Sequence, residues 1–174
     1  GIDQTRYQTI FADSIGSVAA PTAGLHFTPE RVANLKEKGC QFAEVTLHVG
    51  PGTFQPVRVD NIEDHEMETE HFEVSEKTSM AIAQAKAEGR PILAVGTTTV
   101  RTIETAAQSD GTVPSGPGAS QLFIYPGYKF KVIDKMITNF HLPGSTLIML
   151  VSALAGRKEI LAAYEEAVRE KYRF

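Results

Sequence analysis

The sequence predicts an α/β fold: a mostly parallel sheet, barrel-like or open, with helices on its faces. Three observations carry this. Short apolar runs alternate along the chain with segments of helical pattern, which places crossover helices between strands. Four of these runs end alike, in glycine or proline with histidine, threonine or tyrosine at the junction: Val45–Phe54, Ile92–Arg101, Leu122–Tyr128 and Ile137–Thr146. And 174 residues suffice for one buried core and one domain.

Taken in order, residues 1–12 start without a capping or turn signal, as if cut from something larger. Gly16 to Phe27 is rich in small residues and suits close approach of two backbones. Thr28-Pro29-Glu30 starts a helix, with threonine as N-cap and proline in the first turn, and Gly39 closes it. Phe42–Val49 reads as a strand with Val45, Leu47 and Val49 on one face, broken by Gly50-Pro51-Gly52. Thr69–Val74 alternates again and puts Glu70 on the face of Phe72 and Val74, where a carboxylate must be paired or shifted in pKa.

Ser75 caps a helix running to Gly89; the strand Pro91–Val95 and a helix over 98–108 follow. Glycine, proline and serine make Ser109–Ser120 a mobile loop. Gln121–Tyr125 and Met136–Phe140 read as strands, and Lys129 and Lys131 alternate on one strand face. Thr146–Ala155 is apolar nearly all round, hence a buried helix too short to span a bilayer. The last helix sets Ile160, Tyr164 and Ala167 on one face.

Composition excludes some classes. A net charge of −4 gives no global attraction to nucleic acid, so such binding needs a local patch. The single Cys40 forbids an internal disulfide and fits a reducing cytosol, and is read as structural. No run is long and apolar enough to span a membrane, and the polar start is no signal peptide, so a cytoplasmic protein is expected. There is no nucleophile elbow, phosphate-binding Walker loop or paired-cysteine motif. The stretch from His65 to His71 lacks the second metal-binding histidine at the zincin spacing, where Thr69 stands, so no metal is expected.

The Gly96-Thr97-Thr98-Thr99 turn exposes backbone N–H groups and the positive end of a helix dipole. It suits an anion or a polar ligand, with Arg101 one turn on to face a carboxylate or phosphate; the plain alternative is a surface helix residue. His26, His48 and His141 each stand beside a glycine or proline turn near a strand end. One alone is more often structural, but their shared location argues that at least one of them lines a site. Lys129, Lys131 and Lys135 near Tyr125 and Tyr128 suit nucleic acid or form a solvated face.

Several long stretches resemble the S-adenosylmethionine:tRNA ribosyltransferase-isomerase family of the queuosine pathway. They are YQTIFA (7–12), GSVAAPTAGLHFT (16–28), TLHVGPGTFQPV (46–57), AVGTTTVRTIE (94–104), LFIYPGYKFKVID (122–134) and TNFHLPGSTLIMLVSA (138–153). The resemblance implies transfer and isomerisation of the ribosyl moiety of S-adenosylmethionine onto 7-aminomethyl-7-deazaguanine at the tRNA wobble position. Epoxyqueuosine is formed, and adenine and methionine leave. S-adenosylmethionine is a consumed co-substrate, with no other cofactor. That chemistry needs a base at the ribose 5′ carbon, an acid for adenine and a neutral tRNA amine.

His48, His141, His26, His65 and Glu70 are the candidate catalytic residues. Gly96, Thr97, Thr98, Arg101, Tyr125 and Lys129 are the candidate substrate-binding ones. The family pattern His-x-Met-His-x-Glu stands here as His65-Glu66-Met67-Glu68-Thr69-Glu70, so no catalytic histidine is expected at Glu68. By the same resemblance residues 1–174 are the C-terminal portion of the α/β catalytic domain. The N-terminal segment, the inserted β-barrel domain and the tail are absent, leaving the fold incomplete; the full-length protein is expected to be monomeric. The competing expectations are a non-catalytic tRNA-binding fragment and, on the glycine-threonine turn alone, a phosphate-binding barrel isomerase.

Overall fold

The computed structural model describes residues 9–11, 22–48, 59 and 61–173. A short 3-10 segment, Thr22–His26, precedes helix α1 (Pro29–Glu37) and strand β1 (Val45–His48). Then come β2 (Glu70–Val74), α2 (Glu76–Ala87), β3 (Leu93–Val95), α3 (Thr97–Ala106), β4 (Gly116–Ser120), β5 (Lys135–Ile137), α4 (Thr146–Ala155) and α5 (Arg157–Arg169). The expected Val49 and the Gly50-Pro51-Gly52 break lie outside the described residues.

Helix starts follow local chemistry. Thr28 accepts a hydrogen bond from the Arg31 N–H at 3.3 Å, Ser75 from Thr78 at 3.2 Å and Ser145 from Ile148 at 3.4 Å, each satisfying an orphan first-turn donor. Pro29 opens α1, where its missing N–H costs nothing. Helix α3 differs. Gly96 precedes it with φ +93°, and no side chain caps its first turn.

Among the described residues the strands form two sheets, and the larger is antiparallel where a mostly parallel sheet was expected. In the larger, β2 lies between β1 and β4, and both pairs are antiparallel. In the smaller, β3 and β5 are parallel, as expected of strands joined through a helix. Among the described residues no barrel closes. The alternation in β2 carried the antiparallel signal: Glu70, Phe72 and Val74 are buried while His71 and Glu73 face solvent, the pattern of a one-sided antiparallel strand. Buried parallel strands read instead as continuous apolar runs.

The stretch read as a mobile loop contains β4, and Gln121–Tyr125, read as a strand, is irregular with Ile124 buried. Glycine and proline hide β4 from any propensity argument. Gly118 is tolerated because the Phe72 ring fills its side-chain position; a Cβ there would lie 2.4 Å from Phe72 Cζ. Pro117 is tolerated because β4 is an edge strand. β5 is shorter than the expected Met136–Phe140, and Lys129 and Lys131 lie on no strand. Cys40 is exposed.

The core lies between the antiparallel sheet, α3 and α4. Phe72, Val74, Val100, Ile103, Ile124, Leu150 and Val151 meet there. Burial of each such side chain is worth about 1.5–3 kcal/mol. Helix α3 packs on β1, β3, β4 and α4 and is buried on nearly every side, so its charged residues Arg101 and Glu104 need partners.

Candidate active site

The parallel strands β3 and β5 carry their polar residues to one end. The Gly96 N–H donates to the Ile137 carbonyl at 2.9 Å, tying the start of α3 to the end of β5. A Cβ on Gly96 would meet only ordinary contacts, the nearest at 3.8 Å, so the backbone rather than space demands glycine: φ is +93°. Thr97 and Thr98 are buried in the first turn, and the Thr99 hydroxyl donates back to the Val95 carbonyl at 2.8 Å.

Beyond β5, Thr138, Asn139 and His141 continue the junction, and the Thr22–His26 segment lies against it. His26 Nε2 is 2.5 Å from Asn139 Oδ1, and Asn139 Nδ2 donates to Thr22 Oγ1 at 3.0 Å. The Arg31 guanidinium donates to the His26 carbonyl at 2.9 Å, fixing the backbone while the imidazole stays exposed. His141 is half-buried, with Nε2 at 3.2 Å from Thr138 Oγ1 and its backbone N–H donating to the Tyr164 hydroxyl at 2.7 Å. Burial pushes the His141 imidazole down to about 4, so it is neutral at physiological pH.

The second cluster lies at one rim of the antiparallel sheet. Register pairs His48 with His71 and Glu70 with Ser120, so the end of β1, the start of β2 and the end of β4 share that rim. His48 is exposed there. Past the rim, His65, Phe123 and Tyr125 form an aromatic run, His65 to Phe123 at 5.3 Å and Phe123 to Tyr125 at 5.2 Å between ring centres.

Helix α3 joins the two clusters. Its first turn is at the parallel strand ends, while Arg101 pairs with Glu70 and Thr105 shares a 2.7 Å hydroxyl contact with Ser120 at the rim. Arg101 Nη2 lies against Glu70 Oε2 and both side chains are buried. No guanidinium nitrogen makes a well-directed hydrogen bond to another described residue. Burial lowers the Arg101 pKa to about 10, which leaves it charged at neutral pH. The carboxylate read in the sequence as needing a partner has one.

Sequence reading missed Glu104. Fully buried, its carboxylate accepts from the backbone N–H groups of Lys131 (2.9 Å), Val132 (3.0 Å) and Ile133 (2.9 Å), and from the Tyr128 hydroxyl (3.1 Å). Burial, with the Glu104 charge adding to it, pushes the Tyr128 hydroxyl pKa well up, so it stays protonated as the donor. Lys131 Nζ donates to the Ala107 carbonyl at 2.6 Å beyond the end of α3, leaving Lys129 exposed on the turn. Asn139 was also passed over, though it follows a strand end beside His141, the same grammar that singled out the histidines.

The described side chains include no group of three or more histidines, cysteines or carboxylates placed to hold a metal. No helix among them is long and apolar enough to cross a membrane.

A sequence profile of the family described as "Queuosine biosynthesis protein" matches residues 1–174. The protein from Natranaerobius thermophilus named S-adenosylmethionine:tRNA ribosyltransferase-isomerase is 58% identical over 172 residues, 99% of this chain and 50% of that protein. Its namesake from Treponema denticola is 58% identical over 173 residues, again 99% of this chain and 50% of that protein. The crystal structure of the S-adenosylmethionine tRNA ribosyltransferase of Thermotoga maritima superposes with a TM-score of 0.69 at 45% identity, covering 87% of this chain and 48% of that one. The chain thus spans about half the length of the curated relatives it matches.

Proposed function

The chain belongs to the queuosine biosynthesis protein family, and from that premise we propose that it is the C-terminal portion of the catalytic domain of an S-adenosylmethionine:tRNA ribosyltransferase-isomerase. The observation that carries this reading is 58% identity along 99% of the chain to proteins of that name. In this reading the ribosyl moiety of S-adenosylmethionine is transferred and isomerised onto 7-aminomethyl-7-deazaguanine at the tRNA wobble position. Epoxyqueuosine forms and adenine and methionine are released. The protein acts in the cytoplasm, as a monomer at full length, with no cofactor besides the consumed S-adenosylmethionine.

The geometry supports a division of labour. The sulfonium acidifies the ribose 5′ carbon, and His26, exposed at the end of the parallel strands, is the proton acceptor there. His141, kept neutral by burial, serves as a hydrogen-bonding group and is no acid at pH 7. The uncapped first turn of α3, with Gly96, Thr97 and Thr98, offers amide donors to the methionine carboxylate or a ribose hydroxyl. The His65–Phe123–Tyr125 run suits stacking of a purine. His48 on the rim protonates departing adenine, and Lys129 meets tRNA phosphate. Glu70 and Arg101, closed on each other, hold α3 on β2 and act on the substrate through its position.

The test is adenine release from S-adenosylmethionine by the purified chain, with tRNA carrying the deazaguanine, beside calorimetric titration of S-adenosylmethionine. Saturable binding and adenine release, both lost on Gly96→Val, are expected. Retention of tRNA by a folded chain that never binds S-adenosylmethionine would replace the transferase reading with a tRNA-binding fragment.

A further inference from the structure

The hydrogen bonds around Asn139 select one form of His26. The Asn139 amide nitrogen donates to Thr22 Oγ1 at 3.0 Å, which leaves its oxygen as the atom facing the imidazole. An amide oxygen only accepts, so the imidazole nitrogen 2.5 Å away, Nε2, carries the proton. Nδ1 is then the nitrogen with the free lone pair, and among the described residues none bonds to it. The three residues come from distant parts of the chain: Thr22 and His26 from the 3-10 segment, Asn139 from just beyond β5.

We propose that Asn139 is a positioning residue that locks His26 as the Nε2–H tautomer and aims Nδ1 as the proton acceptor, its amide held between Thr22 and the imidazole. This deepens the reading above, since it takes the parallel strand end as the reaction site. When His26 acts, a C–H proton of the substrate moves to Nδ1, the bonding pair stays on carbon and the imidazole becomes an imidazolium. Asn139 Oδ1 still accepts from Nε2–H in that state, so the hydrogen bond holds the ring through the transfer. No oxidant or further reactant is needed.

Nitrogen-15 NMR of the chain's imidazoles decides this independently of turnover. With five histidines, single substitutions assign each ring. At pH 8 His26 should be protonated at Nε2, with that proton protected enough from exchange to be seen directly. The signal should persist in Asn139→Asp, which keeps the acceptor, and vanish in Asn139→Leu. In adenine release Asn139→Leu should lower kcat roughly tenfold or more with KM little changed, and Asn139→Asp should recover most of it. A wild-type His26 protonated at Nδ1, or an Nε2–H signal that survives in folded Asn139→Leu, overturns the proposal. If the transferase reading fails but the NMR pattern appears, the tautomer lock stands without its reaction.

Discussion

The middle of α3 and its first turn treat polar groups in opposite ways. In the middle, Arg101 and Glu104 are buried charges whose described partners come from the protein itself: Glu70 for the arginine, three backbone N–H groups and Tyr128 for the glutamate. At the first turn there is no charge, only Gly96 and hydroxyls, and the neighbouring His26 is exposed. Charges desolvated by folding must be compensated within the fold, so they hold elements together. Neutral hydroxyls carry no such charge penalty, so the first turn needs no charged partner from the fold. The most charged part of the helix is therefore the part that holds the fold together, and in the proposed reading the least charged part meets the substrate.

The largest expected break of this contrast is Glu104→Ala. It leaves three N–H groups and a phenol without their buried acceptor and should cost about 4 kcal/mol. Urea unfolding should show it; a loss below about 1 kcal/mol would mean water replaces the carboxylate. Next comes Glu70→Ala, which strands the Arg101 charge and should cost about 3 kcal/mol. Replacing both Glu70 and Arg101 with leucine should restore most of that. A double variant as unstable as the single one would show that packing, not charge compensation, is the pair's contribution.

At the other end of the helix, Gly96→Ala forces a side chain into φ +93° and should cost about 1–2 kcal/mol while abolishing ligand binding at the turn. Unchanged calorimetric binding would move the site away from α3. The smallest effect is His141's. Its folded pKa is depressed to about 4 from an ordinary 6.5, so the neutral form is the one folding favours. The unfolded chain then binds more protons between those values, and stability present above pH 6.5 is lost as pH falls toward 4. With the ring only half-buried, solvent screening reduces the loss to about 1 kcal/mol. His141→Gln should flatten the stability profile over that window; a profile of unchanged slope would assign the acid sensitivity to other groups.

Legibility in the sequence followed the range of the interaction involved. The helix starts at Thr28 and Ser75 were readable because a cap acts over three residues. So was the buried face of β2, including the need of Glu70 for a partner, because alternation fixes which side chains share a face. The strand-end placement of Gly96 was readable from turn chemistry, whereas His141 lies four residues past the end of β5. β4 was not, since nothing local in Gly116-Pro117-Gly118 favours a strand; it exists because Phe72 covers Gly118 and β2 supplies the ladder.

By itself, the sequence determined the alternation of strands and helices, where most helices start and which residues gather at the turns, all set by contacts a few residues apart. It also carried the family resemblance, because long motifs survive as strings. Tertiary structure alone decided which strands pair in the larger sheet, that Arg101 closes on Glu70, that Glu104 anchors the segment before β5, and that Asn139 meets His26. Each of those joins residues at least 23 positions apart. Pairings over such separations are chosen by burial and hydrogen-bond satisfaction in the packed core, which no local pattern encodes.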